Sequence, residues 1–114
     1  MVNAGSWRPE QADIIWMTFD PVKGHEQSGR RPALVLSHGD YNEHTGLVLV
    51  CPITSIRKGF SFEIPLPVGL GVHGVILSDH IKCFDWRARN AEYIVSAPQS
   101  VVDEVIDNID LLIK

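Results

Sequence analysis

The residues best able to do chemistry crowd into one stretch, Asp20-Pro21-Val22-Lys23-Gly24-His25-Glu26-Gln27-Ser28-Gly29-Arg30-Arg31-Pro32. Lys23, Arg30 and Arg31 suit phosphate oxygens, and Glu26 or His25 can move a proton. The same inventory also fits a solvated loop whose charges serve solubility, and composition alone leaves those two readings even. Three further clusters carry polar groups: Cys51-Pro52-Ile53-Thr54-Ser55, Leu77-Ser78-Asp79-His80-Ile81-Lys82, and Asp85-Trp86-Arg87-Ala88-Arg89. The histidines are scattered, with no His-x-x-x-His or Glu-x-x-His spacing, so no metal site is expected. Phosphate-binding glycine loops and a Gly-x-Ser-x-Gly elbow are absent too. The expected chemistry therefore needs no cofactor.

These clusters must be held by short strands. The polar stretch lies between the apolar runs Ile14-Ile15-Trp16-Met17 and Ala33-Leu34-Val35-Leu36, which read as strands over 13–19 and 32–37. A plain hairpin needs only two to five connecting residues, so the longer link suggests function. Further strands are predicted over 47–52, 60–66 (an edge strand), 75–78 and 91–95, with a turn or short helix over 42–46. Residues 84–90 read as a turn, and 1–12 as a loose arm anchored by Trp7. The spacing of Val101, Val102, Val105, Ile109, Leu112 and Ile113 predicts an amphipathic helix over 98–113 that packs this stripe on the core. The expected architecture is mainly β with helices, a small β-barrel or strongly curved sheet closed by a C-terminal helix.

A chain of 114 residues supports one compact domain, here 1–114. Its net charge of −4 argues against a protein coated in positive charge. The acids, however, concentrate in Asp103, Glu104, Asp107 and Asp110, and cations slightly outnumber acids from Lys23 to Arg89. A basic face can therefore survive elsewhere. Cys51 and Cys83 are expected as two buried free thiols. Residues 1–10 lack the apolar core of a secretory leader, and no apolar run approaches membrane-spanning length, so a soluble cytoplasmic protein is expected.

Taken together, the motifs resemble the MazF/PemK/Kid toxins of bacterial type II toxin–antitoxin systems, and MazF most of all. The matching pieces are Ile15-Trp16 running into Phe19-Asp20-Pro21, Lys23-Gly24-His25-Glu26-Gln27, Arg31-Pro32-Ala33-Leu34-Val35-Leu36-Ser37, Tyr41-Asn42 with Thr45-Gly46, Pro52-Ile53-Thr54-Ser55, Lys58-Gly59-Phe60, Gly74-Val75, Asp79-His80 and Trp86-Arg87-Ala88-Arg89. The resemblance implies a small SH3-like barrel of the PemK/CcdB-like plasmid-maintenance kind, forming a homodimer. It implies a cofactor-independent endoribonuclease acting on single-stranded RNA, an mRNA interferase that arrests growth, neutralised by a MazE-like antitoxin. It assigns catalysis to Arg31, Glu26, Thr54 and His25. It assigns RNA contact to Lys23, Gln27, Arg30, Ser55, Asp79, His80, Lys82, Arg87 and Arg89. One branch of the family pairs an arginine with the aspartate of the fifth strand, whereas this chain has Leu77 there, and His80 stands where many relatives carry glutamine. Two acid–base assignments therefore stay open.

Those residue types fit metal-free RNA cleavage. A base takes the proton of the ribose 2′-hydroxyl, an acid protonates the departing 5′-oxygen, and cations stabilise the phosphorane. Arg31 suits the last role through bidentate contact to phosphate. Glu26 is the better base and His25 the next, while Thr54 can donate to a phosphate oxygen or simply cap a turn. Trp86 reads as core before it reads as a stacking platform. Arg87 and Arg89 either decorate a solvated turn or, on extended chain, share one face that holds RNA. Two readings from other classes remain: a non-enzymatic toxin of the same fold that binds a topoisomerase such as gyrase, and a catalytically inactive RNA-binding module. The first lacks the Gly-His-Glu-Gln…Arg-Pro loop in its known members.

Overall fold

The computed structural model describes residues 7–19 and 29–114. Seven strands and two helices follow in the order β1 (Asp13–Thr18), β2 (Arg30–Val35), α1 (Gly39–Thr45), β3 (Leu47–Thr54), β4 (Glu63–Pro65), β5 (Val75–Leu77), β6 (Lys82–Asp85), β7 (Glu92–Ser96) and α2 (Gln99–Ile113). All the pairings are antiparallel, along the path β4-β5-β3-β2-β1-β7, and β6 also pairs with β3. The expected barrel is thus a sheet with an open hydrogen-bonded path, whose ends are β4 and β7. β4 is an edge strand as expected.

The central strands are apolar on both faces because both faces are covered. Ile14, Leu34, Cys51, Ile53 and Ile76 face α2, which contributes Val101, Val102 and Val105. Ile15, Met17, Ala33, Val35, Val48 and Val50 face the other way, onto Trp86, Trp7 and Phe84. The period-two alternation along each strand sorts the residues between these two cores. Pro32 and Pro52 sit inside strands at points where one neighbour is missing. The β2–β3 ladder begins only at Ala33–Pro52, and β3 changes partner from β6 at 47–50 to β5 at 53–54. A proline's lost N–H costs no ladder bond on such a side.

Several expectations need correction. β6 is not among the expected strands, and its second half, Phe84-Asp85, falls in the stretch read as turn. Lys82-Cys83-Phe84-Asp85 has no apolar run, and its strand character comes from pairing with Leu47–Val50. Cys51 is buried as expected, but Cys83 lies exposed on this edge strand; both thiols are free. The helical stripe covers the core only as far as Ile109, leaving Leu112 and Ile113 exposed in the last turn. Residues 7–12 are pinned rather than loose. Arg8 pairs with Glu10 at 2.9 Å, with Asp40 at 3.2 Å and with Glu43, and the ring of Trp7 meets Trp86 edge-on at 5.6 Å.

A fully buried asparagine ties this arm to the sheet. Asn42 Nδ2 donates to the carbonyls of Pro9 (2.9 Å) and Ser37 (3.1 Å), and Ser37 Oγ donates to Asn42 Oδ1 at 2.5 Å. Trp86 Nε1 donates to the Asn42 carbonyl at 2.8 Å, so the arm, α1 and the second core close on one another.

Candidate functional site

The polar clusters stand at the ends of several strands: Arg31 lies at the start of β2 and Thr54 at the end of β3, whereas the link from β5 to β6 runs beside the middle of β3, with Lys82 opposite Val50. Arg31 stands in β2, exposed, opposite Met17 of β1. No ion pair joins it to another described residue. Thr54 closes β3 and is half-buried. The β2–β3 register pairs Ala33 with Pro52 and Leu34 with Cys51. Continued past the last ladder pair, that register sets Arg31 opposite Thr54, on the face shared with Ala33 and Val50. The register thus assigns two residues far apart in sequence to corresponding positions on neighbouring strands, just past the last ladder pair.

Thr54 is fixed locally. Its Oγ1 accepts a hydrogen bond from the Ile56 amide at 3.1 Å, the turn-capping role allowed by sequence, and the hydroxyl proton remains free to be donated. Gly74 packs against it so closely that a Cβ would meet the Thr54 carbonyl at 2.2 Å, and φ is 126°. Only glycine satisfies both conditions.

Beside Thr54 opens a cavity of about 260 Å³ walled by Ile56, Lys58, Phe60, Phe62, Glu63, Leu77 and His80. The rings of Phe60 and Phe62 stack at 5.3 Å with 16° between planes, and Phe60 is 54% exposed. Sequence reasoning gave this aromatic pair no role, although two phenylalanines at i and i+2 on an edge segment were a visible signal. Asp79 lies 3.6 Å from His80, as expected of neighbours at the end of β5. Ser55 is exposed just past Thr54, and Lys82 is exposed on β6.

The remaining arginines divide. Arg87 is exposed and its guanidinium lies 4.3 Å over the Trp86 ring, which is itself core. Arg89 is half-buried and directed at the protein's own backbone, donating to the carbonyls of Thr18 (3.3 Å) and Phe19. Arg30 donates to Glu92 at 2.5 Å and to the Asn90 carbonyl at 2.7 Å. Arg87 and Arg89 occupy a turn, not the extended chain that would aim both at one face. Lys23, His25, Glu26 and Gln27 lie outside the described residues.

Two titrating groups are shifted by burial. The Cys51 thiol is pushed up to about 12 by desolvation, with Asp79 adding to the effect, so it is not a nucleophile at neutral pH. Burial also raises the Asp13 carboxyl, opposed by hydrogen bonds from the Glu10 amide and Ser96 Oγ. Neither group lines the cavity.

An antiparallel sheet with one closing helix, and cationic and hydroxyl groups at its strand ends, defines a small mainly-β fold. The chain belongs to the family of PemK-like, MazF-like toxins of type II toxin–antitoxin systems, which matches residues 10–113. It is similar to the endoribonuclease toxin MazF of Escherichia coli (strain K12), 49% identical over 83 residues, 73% of this chain and 74% of that protein. It is also similar to the endoribonuclease toxin ChpB of the same strain, 39% identical over 110 residues, 92% of this chain and 94% of that protein. The crystal structure of MazF (Form-I) from Deinococcus radiodurans superimposes with a TM-score of 0.86 at 49% identity, covering 93% of this chain and 96% of that one. A MazE-MazF complex (Form-I) from the same organism gives 0.83 at 44% identity, with the same coverage of each chain. No helix among the described residues is long and apolar enough to cross a membrane.

Proposed function

We propose that this protein is an endoribonuclease toxin that cuts single-stranded mRNA without a metal ion or other cofactor, acts in the cytoplasm and is neutralised by a MazE-like antitoxin. The observation that carries the reading is the β2–β3 register, which, extended past its last ladder pair, sets Arg31 opposite the end of β3 that bears Thr54. Family membership and relatives named as endoribonucleases support it.

In this mechanism a loop base, Glu26 or His25, takes the 2′-hydroxyl proton. The 2′-oxygen attacks the adjacent phosphorus, and the 5′-oxygen departs with a proton from the site's acid. Arg31 donates two hydrogen bonds to the phosphorane oxygens, and the Thr54 hydroxyl donates a third. The products carry a 2′,3′-cyclic phosphate and a 5′-hydroxyl. The cavity beside Thr54 offers an aromatic wall and Lys58 to a base flanking the cut. Ser55, His80, Lys82 and Arg87 are exposed and can contact the strand; Lys23 and Gln27 complete the set by family resemblance.

A second copy completes the unit. The outer edge of β6 pairs with no described strand, and Leu111, Leu112 and Ile113 stand exposed on α2. Such surfaces favour association, so the expected species is a homodimer of the 12.7 kDa chain.

The test is cleavage of end-labelled RNA in EDTA with mapping of both new ends. Wild type should cut, and folded Arg31→Ala should lose at least about a hundredfold in rate, a typical cost of removing one transition-state donor. Retention of RNA without cutting would instead mark a binding module. Neither cutting nor retention would return attention to a topoisomerase ligand. Loss of cutting in EDTA, restored by one added metal, would overturn the mechanism.

A further inference from the structure

We propose that Arg89 is a positioning residue for the cleavage site, holding the strand ends that carry Arg31, rather than a contact to RNA phosphate. The inference rests on the endoribonuclease reading above.

β1 loses its outer neighbour early. Its ladder with β7 ends at Trp16–Glu92, whereas its ladder with β2 runs on through Met17–Arg31 and Thr18–Arg30. The carbonyls past Trp16 would otherwise face no strand on that side, and strand ends left so are the first to open. Arg89 supplies the missing donors. Its Nη1 donates to the Thr18 and Phe19 carbonyls, and the Thr18 amide donates back to the Arg89 carbonyl at 2.9 Å.

The guanidinium is fixed from above as well. It lies 4.1 Å over the Phe84 ring, and Phe84 meets Phe19 edge-on at 5.3 Å. Asn90 follows in the left-handed region at φ 55°, a conformation asparagine tolerates. This bend turns the chain so that the Asn90 carbonyl and Glu92 receive Arg30 from β2. Segment 89–92 therefore brackets both strands, β1 at 18–19 and β2 at 30, and the Phe19 amide closes the pair onto the Gly29 carbonyl at 2.6 Å.

Arg31 depends on this bracket. The β3 ladder stops at Ala33, so at Arg31 the described strand laddered with β2 is β1, through the portion of β1 that Arg89 secures. A displacement of about 1 Å in a reacting group costs on the order of a hundredfold in rate. Nη1 is committed to both carbonyls and the Phe84 ring lies against the guanidinium, so turning the side chain outward to a phosphate would give these contacts up.

The experiment compares full-length wild type, Arg89→Gln and Arg89→Lys. Amide exchange of Phe19 in Arg89→Gln should rise roughly tenfold or more, as expected for lost charge-assisted bonds, while that of Ile15 stays put. On a defined RNA, kcat should fall about a hundredfold with KM changed by less than about threefold, the pattern of a lost transition-state arrangement. The slope of log Kd against log salt should equal that of wild type, because no phosphate contact is removed. Loss of one such contact lowers its magnitude by about 0.7 for a single strand. Arg89→Lys keeps the charge and should restore part of kcat, since an ammonium reaches one carbonyl but cannot lie flat on Phe84. A reduced salt slope with unchanged Phe19 exchange overturns the proposal, as does wild-type kcat in Arg89→Gln. If wild type cuts no RNA, the endoribonuclease reading fails and takes the catalytic half of this inference with it, and unchanged exchange at Phe19 overturns the bracket itself.

Discussion

Asn42→Ala should be among the most damaging single substitutions outside the apolar cores. Asn42 is fully buried, and its amide makes three side-chain bonds: to the Pro9 and Ser37 carbonyls and from Ser37 Oγ. Removing it leaves two carbonyls and a hydroxyl without those partners in a region closed by Trp86. At about 1 kcal/mol per bond, rising toward ~2 for a buried group left unsatisfied, the loss is roughly 3–5 kcal/mol. Total stability for a domain is only about 5–15 kcal/mol, so the variant should lose roughly a fifth of it or more. In urea, at one protein concentration, the midpoint should drop with m unchanged, by roughly 1.5–3 M if m is near ~1.7 kcal/mol/M. Asn42→Asp should be no better, because a carboxylate cannot donate to the two carbonyls. The arm should loosen with the network, so the environment of Trp7 should change in fluorescence even before unfolding. A loss below about 1 kcal/mol would refute the reasoning, because it would mean that water or a shifted Ser37 repairs the gap at little cost.

Two other expectations concern pH and control. Burial raises the folded-state value of Asp13 above its usual 3.8, so the folded state binds this proton more tightly than the unfolded one does. Its favourable contribution is present below that usual value and is lost as pH rises through the raised one. Asp13→Asn should remove this fall from the stability–pH curve, and a variant whose curve parallels wild type would refute the assignment. An acidic antitoxin segment should compete with RNA for the exposed cations Arg31, Lys82 and Arg87, and the competition should weaken with salt; simultaneous binding of RNA and an acidic peptide without mutual effect would exclude a shared surface.

Long apolar or strongly periodic segments were legible in the sequence. Ile14 to Met17 reads as a strand buried on nearly both faces, and Ile14, Ile15 and Met17 do lie in the two cores while Trp16 is exposed; Val101, Val102 and Val105 sit on a helix face as their spacing requires. β6 was not legible, since Lys82-Cys83-Phe84-Asp85 becomes a strand only because Leu47–Val50 offers it a ladder. The exposure of Leu112 and Ile113 was hidden for a related reason, since periodicity says which side of a helix is apolar but not where the sheet beneath it stops. At the candidate site, sequence indicated residue types but not alliances. Thr54 and Arg31 were named, yet their juxtaposition follows from strand register, which no local pattern carries.

The arginines make the same point in electrostatic terms. Counted along the chain, Arg8, Arg30, Arg31, Arg87 and Arg89 look interchangeable as a basic footprint. In the fold, Arg8 is ringed by Glu10, Asp40 and Glu43, Arg30 is paired with Glu92, and Arg89 is given to backbone carbonyls. Each of these is largely neutralised or turned inward, and together they fasten the arm and the β1–β2 strand ends. Arg31 and Arg87 keep their charge toward solvent, one at the strand end beside Thr54 and the other on the Trp86 ring. A chain of net charge −4 can therefore present a small cationic surface, to which exposed Arg57 also contributes, because Arg8, Arg30 and Arg89 are taken up by the scaffold.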